Sequence, residues 1–298
     1  MISCRNCSSK NVKLFHRVDK YSYYKCYHCQ TLFLHPQPTK KKLDLFYKKN
    51  FNYVAGQVEE KRIRQRARII LKKLQRLNPH GKTLLDIGSG YGFFLDEAKK
   101  FGLKTIGIEP SKKLSNVSIY RYIDTDIYQG TFEQYIRRLK NTKYDFVTAI
   151  HLIEHLPDPF QFIRQTSQLM NKNGILYIET PNLDSHLFRA EKENYTFLTP
   201  PEHLWIFSKK SFQTIIKNNT QLKIITTSSY SYPEHFMGIV KKKLQITNDK
   251  LQINFKYQNT NKKIVKYILF DRIIASILTP FLNQGIYGSI LELYIGKN

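Results

Sequence analysis

The 298-residue chain is 41% hydrophobic and 13% aromatic, a burial capacity that excludes an intrinsically disordered chain. Its 48 Lys and Arg against 23 Asp and Glu give a net charge of +25, so nucleic acid, anionic membrane faces and phosphorylated substrates all come into consideration as partners. No run approaches the ~20 apolar residues of a membrane helix, and the opening MISCRNCSSK lacks the apolar core of a secretory signal; a cytoplasmic location without a transmembrane segment is expected.

All four cysteines lie near the start, as Cys4-x2-Cys7 and Cys26-x2-Cys29 with 18 residues between. Each CxxC places two thiolates on one tight knuckle, and two knuckles close a tetrahedral four-sulfur cage that leaves no position for water. A structural Zn2+ held by Cys4, Cys7, Cys26 and Cys29 is therefore expected, in a zinc ribbon over 1–38. Two disulfides are the alternative, disfavoured in a reducing compartment. His16, His28 and His35 stand close by in sequence, but four sulfurs already complete the shell. The ribbon exits through the extended His35-Pro36-Gln37-Pro38.

Residues 39–80 read as a helical linker. Leu43 to Tyr47 form a short helical piece. Then Ile63, Ala67, Ile70, Leu71, Leu74 and Leu77 recur at helical spacing among seven Arg and Lys. Asn78-Pro79 stops that helix. Its basic face could track phosphates, although a solvated face is the commoner meaning of such a stripe.

From Lys82 to Ile178 short apolar strands alternate with amphipathic helices, the pattern of a parallel sheet covered on both faces. Strands are expected near 82–87, 104–109, 121–127, 144–150 and 174–180, with helices near 92–101, 111–118, 131–140 and 158–171. A sixth strand is expected near 221–229 and a last one near 289–295. At the end of the first strand stands Asp86-Ile87-Gly88-Ser89-Gly90-Tyr91-Gly92, a glycine turn opening a helix whose amides can hold an anion. A dinucleotide fingerprint needs GxGxxG, and Phe93 occupies the place of its third glycine. A nucleoside with a small charged tail fits better. Glu109 closes the second strand, where a carboxylate can accept both ribose hydroxyls.

With these motifs in order, followed by Gln129-Gly130-Thr131, Tyr144-Asp145-Phe146, Glu154-His155-Leu156-Pro157 and Thr180-Pro181-Asn182, the chain resembles the class I S-adenosylmethionine-dependent methyltransferases over roughly residues 80–230. The resemblance implies a Rossmann-like, doubly wound α/β fold with a seven-stranded sheet, and S-adenosyl-L-methionine as cofactor. Asp86, Gly88, Gly90 and Gly92 would hold its methionine part and Glu109 its ribose. Gly130, Thr131 and His151 would border adenine and sulfonium. The methyltransferase core is placed at 81–232, and 233–298 is read as a helical insertion with a final strand.

With its ribbon, the chain further resembles bacterial methyltransferases acting on sugars in surface-polysaccharide and natural-product pathways. Pro201-Glu202-His203-Leu204-Trp205-Ile206-Phe207-Ser208 is similar to the Glu-His segment of sugar C-methyltransferases, with proline in place of that segment's first histidine. The short stretch after the sixth strand departs from their long carboxy-terminal domain and favours transfer to oxygen. Glu154-His155 is shared with ubiquinone-pathway O-methyltransferases, some of which bind a divalent ion nearby; here His151 replaces the first acid of that group. The expected activity is methyl transfer to a hydroxyl of a sugar or similar small molecule, free or linked to a nucleotide or lipid. His203, oriented by Glu202, would be the base and His155 its rival. Sugar C-methylation and an RNA methyltransferase using ribbon and basic helix are the alternatives. Residues 239–263 read as a polar loop, and 268–282 as a packing helix or a peripheral membrane contact.

Overall fold

The computed structural model describes residues 2–50, 57–121, 126–139, 141–218, 221–232, 235 and 285–297. They fall into two units, one drawn from 1–35, 180–212 and 227–292, the other from 36–179, 213–226 and 293–298. The expected loop at 239–263 and helix at 268–282 lie outside the described residues. Among the described residues no helix is long and apolar enough to cross a membrane.

In the first unit, β1 (Val12–Val18), β2 (Tyr21–Cys26) and β3 (Leu32–Leu34) form an antiparallel meander. The first CxxC precedes β1 and the second turns the chain from the end of β2 toward β3, which brings together cysteines up to 25 positions apart in sequence.

In the second unit, α1 (Lys40–Asn50) and α2 (Gln57–Leu77) precede the sheet. On α2 the apolar stripe buries Ala67, Ile70, Leu71 and Leu74, while Leu77, at the helix end, is exposed. The buried stripe packs with Leu84, Phe94, Leu95, Ala98, Phe146, Tyr177 and Tyr294 into one core. The basic stripe is not simply solvated. Arg64 pairs with Glu60, Asp96 and Glu97, and Arg68 Nε lies 2.7 Å from Glu97. Burial pushes the Glu97 carboxyl up, but Arg68, Lys100 and Arg64 together hold it down at about 2.

The chain then alternates β4 (Thr83–Ile87), α3 (Phe93–Lys100), β5 (Lys104–Glu109), α4 (Lys112–Arg121), β6 (Asp126–Gln129), α5 (Phe132–Leu139), β7 (Tyr144–Ile150), α6 (Pro159–Leu169) and β8 (Met170–Pro181). Asp158 caps α6, its Oδ1 accepting from Gln161 N at 2.9 Å with Pro159 in the first turn, as the Asp-Pro step predicts. Gly107 lets α3 lie close on β5, since a Cβ there would come within 2.6 Å of Leu95 Cδ1. Two expectations shift. The third strand begins at Asp126 rather than 121, because α4 runs on to Arg121 through a β-branched stretch that reads equally as strand. β8 begins at Met170, with its register to β7 broken between Tyr144 and Phe146, so residues expected at the end of α6 already belong to the strand.

After β8 come α7 (His186–Glu191), β9 (Trp205–Ile206), α8 (Lys209–Lys217), β10 (Leu222–Tyr230) and β11 (Ile290–Lys297). The large sheet has the order β10-β11-β8-β7-β4-β5-β6, the Rossmann-like seven-stranded arrangement. The β4, β5, β6, β7 and β8 pairings are all parallel. The order reverses at β4, with β5 and β6 to one side and β7 and β8 to the other. Ligands of such sheets bind outside the carboxyl ends of the strands at that switch. The opposite end is tied down by Asp145, whose Oδ2 accepts from Lys82 N, Thr83 N and Thr83 Oγ1 at 2.8 to 3.0 Å.

Candidate functional site

The carboxyl ends of β4 and β5 bring two acids together. Asp86 is buried, and its Oδ1 accepts from the Thr148 hydroxyl at 2.6 Å. Burial pushes its carboxyl up to about 7, against the Thr148 hydrogen bond and with the charge of Glu109 adding to the rise. Glu109, also buried, receives Gly90 N on Oε2 at 2.8 Å and Ser111 N on Oε1 at 2.7 Å. Burial raises it too, the two amides opposing. Each oxygen keeps a second lone pair for a hydroxyl donor.

Among the described residues neither acid has a cationic partner. Two desolvated carboxylates side by side are costly unless a positive ligand arrives. Between them the turn is open: Gly90 has φ +53° and a Cβ there would meet nothing within 4 Å. S-adenosylmethionine, cationic at its amino group and at sulfur, has the complementary charge, and the donor set fits it.

Gly130 and Thr131 stand at the end of β6. Gly130 N donates to Glu109 O at 3.0 Å, and Gln134 Oε1 accepts from Thr131 N at 2.7 Å, which fixes the entry to α5. His151 follows β7 with φ +48°, a left-handed conformation that costs a non-glycine residue ~1–3 kcal/mol. Its N–H donates to Glu179 O at 2.8 Å. Its ring lies between Glu154 Oε1, 3.4 Å from Nδ1, and Glu179 Oε1, 3.2 Å from Nε2. Burial alone would lower its pKa, but the two carboxylates outweigh that and raise it to about 10. His151 is thus a cation at neutral pH.

Glu179 also accepts from Tyr177 OH at 2.6 Å and Arg66 Nη2 at 3.2 Å. Despite burial it is held down at about 2, chiefly by His151. Sequence reading missed Glu179 and Arg66. The available signal was a carboxylate in the last turnings of an apolar, fully covered strand, a place where an acid is rarely found without a partner. Glu154 is buried, with Oε1 4.0 Å from His155 Nε2, and the His155 ring meets Tyr47 edge-on at 6.4 Å.

In the other unit the four cysteine Sγ atoms all lie within 4.8 Å of one another. Cys4 and Cys29 are 3.6 Å apart, as are Cys7 and Cys26. A disulfide needs ~2.05 Å, whereas a tetrahedral zinc with ~2.3 Å bonds spaces its sulfurs about 3.8 Å apart. The donor set fits zinc. No histidine joins this group among the described residues.

That unit also carries Glu202 and His203. The His203 ring reaches the backbone through Nδ1, which lies 2.7 Å from Phe197 O. A carbonyl only accepts, so Nδ1 carries the proton and Nε2 is the basic nitrogen. The Glu202 charge acts on Tyr23, whose phenol burial first, and then that carboxylate, push up.

Paired acids beside an open glycine turn, at the carboxyl ends of a Rossmann-like sheet, suit a nucleoside cofactor. A family model described as a methyltransferase domain matches residues 60–226, so the chain belongs to that family, the class I S-adenosylmethionine-dependent methyltransferases. It is similar to a ubiquinone biosynthesis O-methyltransferase of Aliivibrio fischeri, 32% identical over 114 residues that make up 36% of this chain and 48% of that protein. A protein of the same name from Pelagibacter ubique is 28% identical over 176 residues, 56% of this chain and 70% of that one. The chain thus spans about half the length of the first of these relatives. Among solved structures, a SAM-dependent methyltransferase from Archaeoglobus fulgidus shares the fold, with TM-score 0.51 and 18% identity over 86% of this chain and 99% of that one.

Proposed function

We propose that this methyltransferase moves a methyl group from S-adenosylmethionine to a hydroxyl of a sugar or similar small molecule, free or nucleotide- or lipid-linked, in surface-polysaccharide or natural-product synthesis in the cytoplasm. The observation that carries the cofactor half is the pair of buried carboxylates, Asp86 and Glu109, beside the open turn at Gly90. Glu109 takes the ribose hydroxyls, and Asp86 with Gly88, Gly90 and Gly92 takes the methionine end. Gly130, Thr131 and His151 border the adenine and sulfonium. When bound, the cofactor supplies a methyl group made electrophilic by cationic sulfur. Zinc on the four thiolates is structural.

A hydroxyl that gains a methyl group must lose its proton. The Glu154 and Glu179 carboxylates beside His151 favour its protonated form, which makes it a poor acceptor for that proton. His203 can receive it, because its Nδ1–H is committed to Phe197 O and its Nε2 is the basic nitrogen. Glu202 and His155 complete the set, with His155 the rival base. Oxygen as the accepting atom is supported by the relatives' names, which are those of O-methyltransferases. The RNA reading loses support at α2, where Arg64, Arg66 and Arg68 are engaged with the protein's own acids.

Two measurements test this. Methyl-labelled cofactor, enzyme and a host extract should place label in sugar-nucleotide or lipid fractions, and label lost to ribonuclease would overturn the acceptor class. By calorimetry, Glu109→Ala should weaken S-adenosylmethionine binding roughly ten- to hundred-fold, the ~1.5–3 kcal/mol of hydrogen bonds to a charged acceptor. Wild-type affinity in that variant would remove Glu109 from the site.

A further inference from the structure

The ribbon meander continues beyond its own residues. β3 pairs antiparallel with β9, Leu32 opposite Ile206 and Phe33 opposite Trp205, making a four-stranded sheet β1-β2-β3-β9. The residue just before β9 is Leu204, whose carbonyl accepts from Leu34 N at 2.9 Å. One residue earlier, the carbonyl of His203 accepts from the buried Tyr23 hydroxyl at 2.6 Å. His203 is therefore held at its ring by Phe197 O and at its backbone by the strand that ends in Cys26.

A second tie joins the same segment to the cysteine knuckle. The Ser211 hydroxyl is buried and sits at a hub. It accepts from Ser208 N at 3.0 Å and from Thr31 Oγ1 at 2.9 Å, and donates to Gln30 O at 3.0 Å, with Cys29 O at 3.3 Å. Asn6, between Cys4 and Cys7, reaches the same hub through Nδ2, 2.9 Å from Thr31 Oγ1 and 3.2 Å from Ser211 O. Thr31 Oγ1 lies 3.1 Å from Cys29 Sγ. The Asn6 amide nitrogen and the Thr31 and Ser211 hydroxyls are thus linked to one another, and Asn6 Oδ1 is buried without a hydrogen-bond partner among the described residues. Nothing in an apolar alternative would dictate this register, whereas a connected polar set holds one arrangement.

We infer that the cysteine knuckles act on the active histidine through these contacts: Tyr23 and Ser211 are positioning residues that lock the 199–208 segment so that His203 presents Nε2. The inference rests on the reading of His203 as the base. It gives the ribbon a part in catalysis that touches neither cofactor nor acceptor, and it explains why the chain leading into the two-residue β9 is already held to the ribbon at the carbonyls of 203 and 204.

The test needs no acceptor. In the zinc-loaded full-length protein with 15N-labelled histidine, the His203 ring signal is assigned by its loss in His203→Ala. Wild type should show the single Nδ1–H tautomer. Tyr23→Phe and Ser211→Ala should each convert it toward a tautomer mixture and speed amide exchange across 199–207 by about tenfold, the loss of one buried hydrogen-bond partner, while exchange across 83–109 and S-adenosylmethionine affinity stay unchanged. If both variants leave tautomer and exchange as in wild type, or if they lose cofactor affinity along with them, the positioning role is overturned. A His203→Ala enzyme that still transfers methyl groups would instead remove the base assignment, while the tautomer and exchange data would still decide the anchoring. Tyr23→Phe keeps the aromatic packing, so the test survives if Ser211→Ala folds poorly.

Discussion

His203→Ala is expected to lower the single-turnover rate of methyl transfer by about 10²–10⁴, the usual contribution of a positioned base, with S-adenosylmethionine affinity unchanged. The split follows from where the groups sit in the chain. Asp86, Gly90 and Glu109, proposed above to hold the cofactor, belong to the 36–179 unit, and His203 to the other. A base acts on the acceptor's proton, so its loss lowers kcat without loosening the cofactor. His155→Ala tests the rival base. Its ring lies beside Tyr47 and Glu154, and its loss should lower the rate less than the loss of His203. Once the labelled-extract experiment supplies an acceptor, rapid-quench measurements decide. A His203→Ala enzyme keeping more than about a tenth of the rate would transfer the assignment to His155.

Removal of zinc carries the other large effect. Structural zinc on four thiolates contributes on the order of 10 kcal/mol of folding free energy, and the ribbon's three strands, of 7, 6 and 3 residues, bury too little surface to replace it. Protein purified without a metal-binding tag should hold about one equivalent of zinc. Cys26→Ser, which removes a buried ligand, should lose the metal and unfold the β1–β3 meander, seen as a lost thermal transition and rapid exchange over 11–35. Less than about half an equivalent of metal in fully reduced wild-type protein would sink the zinc reading.

Both sites are visible in the sequence because their chemistry is local. A CxxC knuckle is set by four consecutive residues, and a glycine turn between a strand and a helix by seven. Strands such as Lys104–Glu109 and Tyr144–Ile150 have the expected bounds, since runs of six and seven residues rich in β-branched and aromatic side chains are too short for a helix and are set between helical periods. Where two readings compete locally, as at the end of α4, the boundary shifts.

What stayed hidden depends on pairs far apart in the chain. Glu179 and Arg66, 113 positions apart, meet around His151 only once β8 lies beside β7 and α2 is packed on the core. β9 is two residues long, too short to carry any period, and exists because β3 offers it an edge. Spacing and periodicity by themselves pointed to a parallel α/β sheet, to four cysteines at metal-ligand spacing and to an acid, Glu109, near a glycine turn, while the seven-stranded methyltransferase arrangement and the part given to Asp86 came from the family resemblance. Only the tertiary structure decided which charges neutralise His151, which nitrogen of His203 is basic and which hydroxyls hold that histidine in place, because hydrogen bonds and ion pairs depend on distance in space, which residue spacing does not encode.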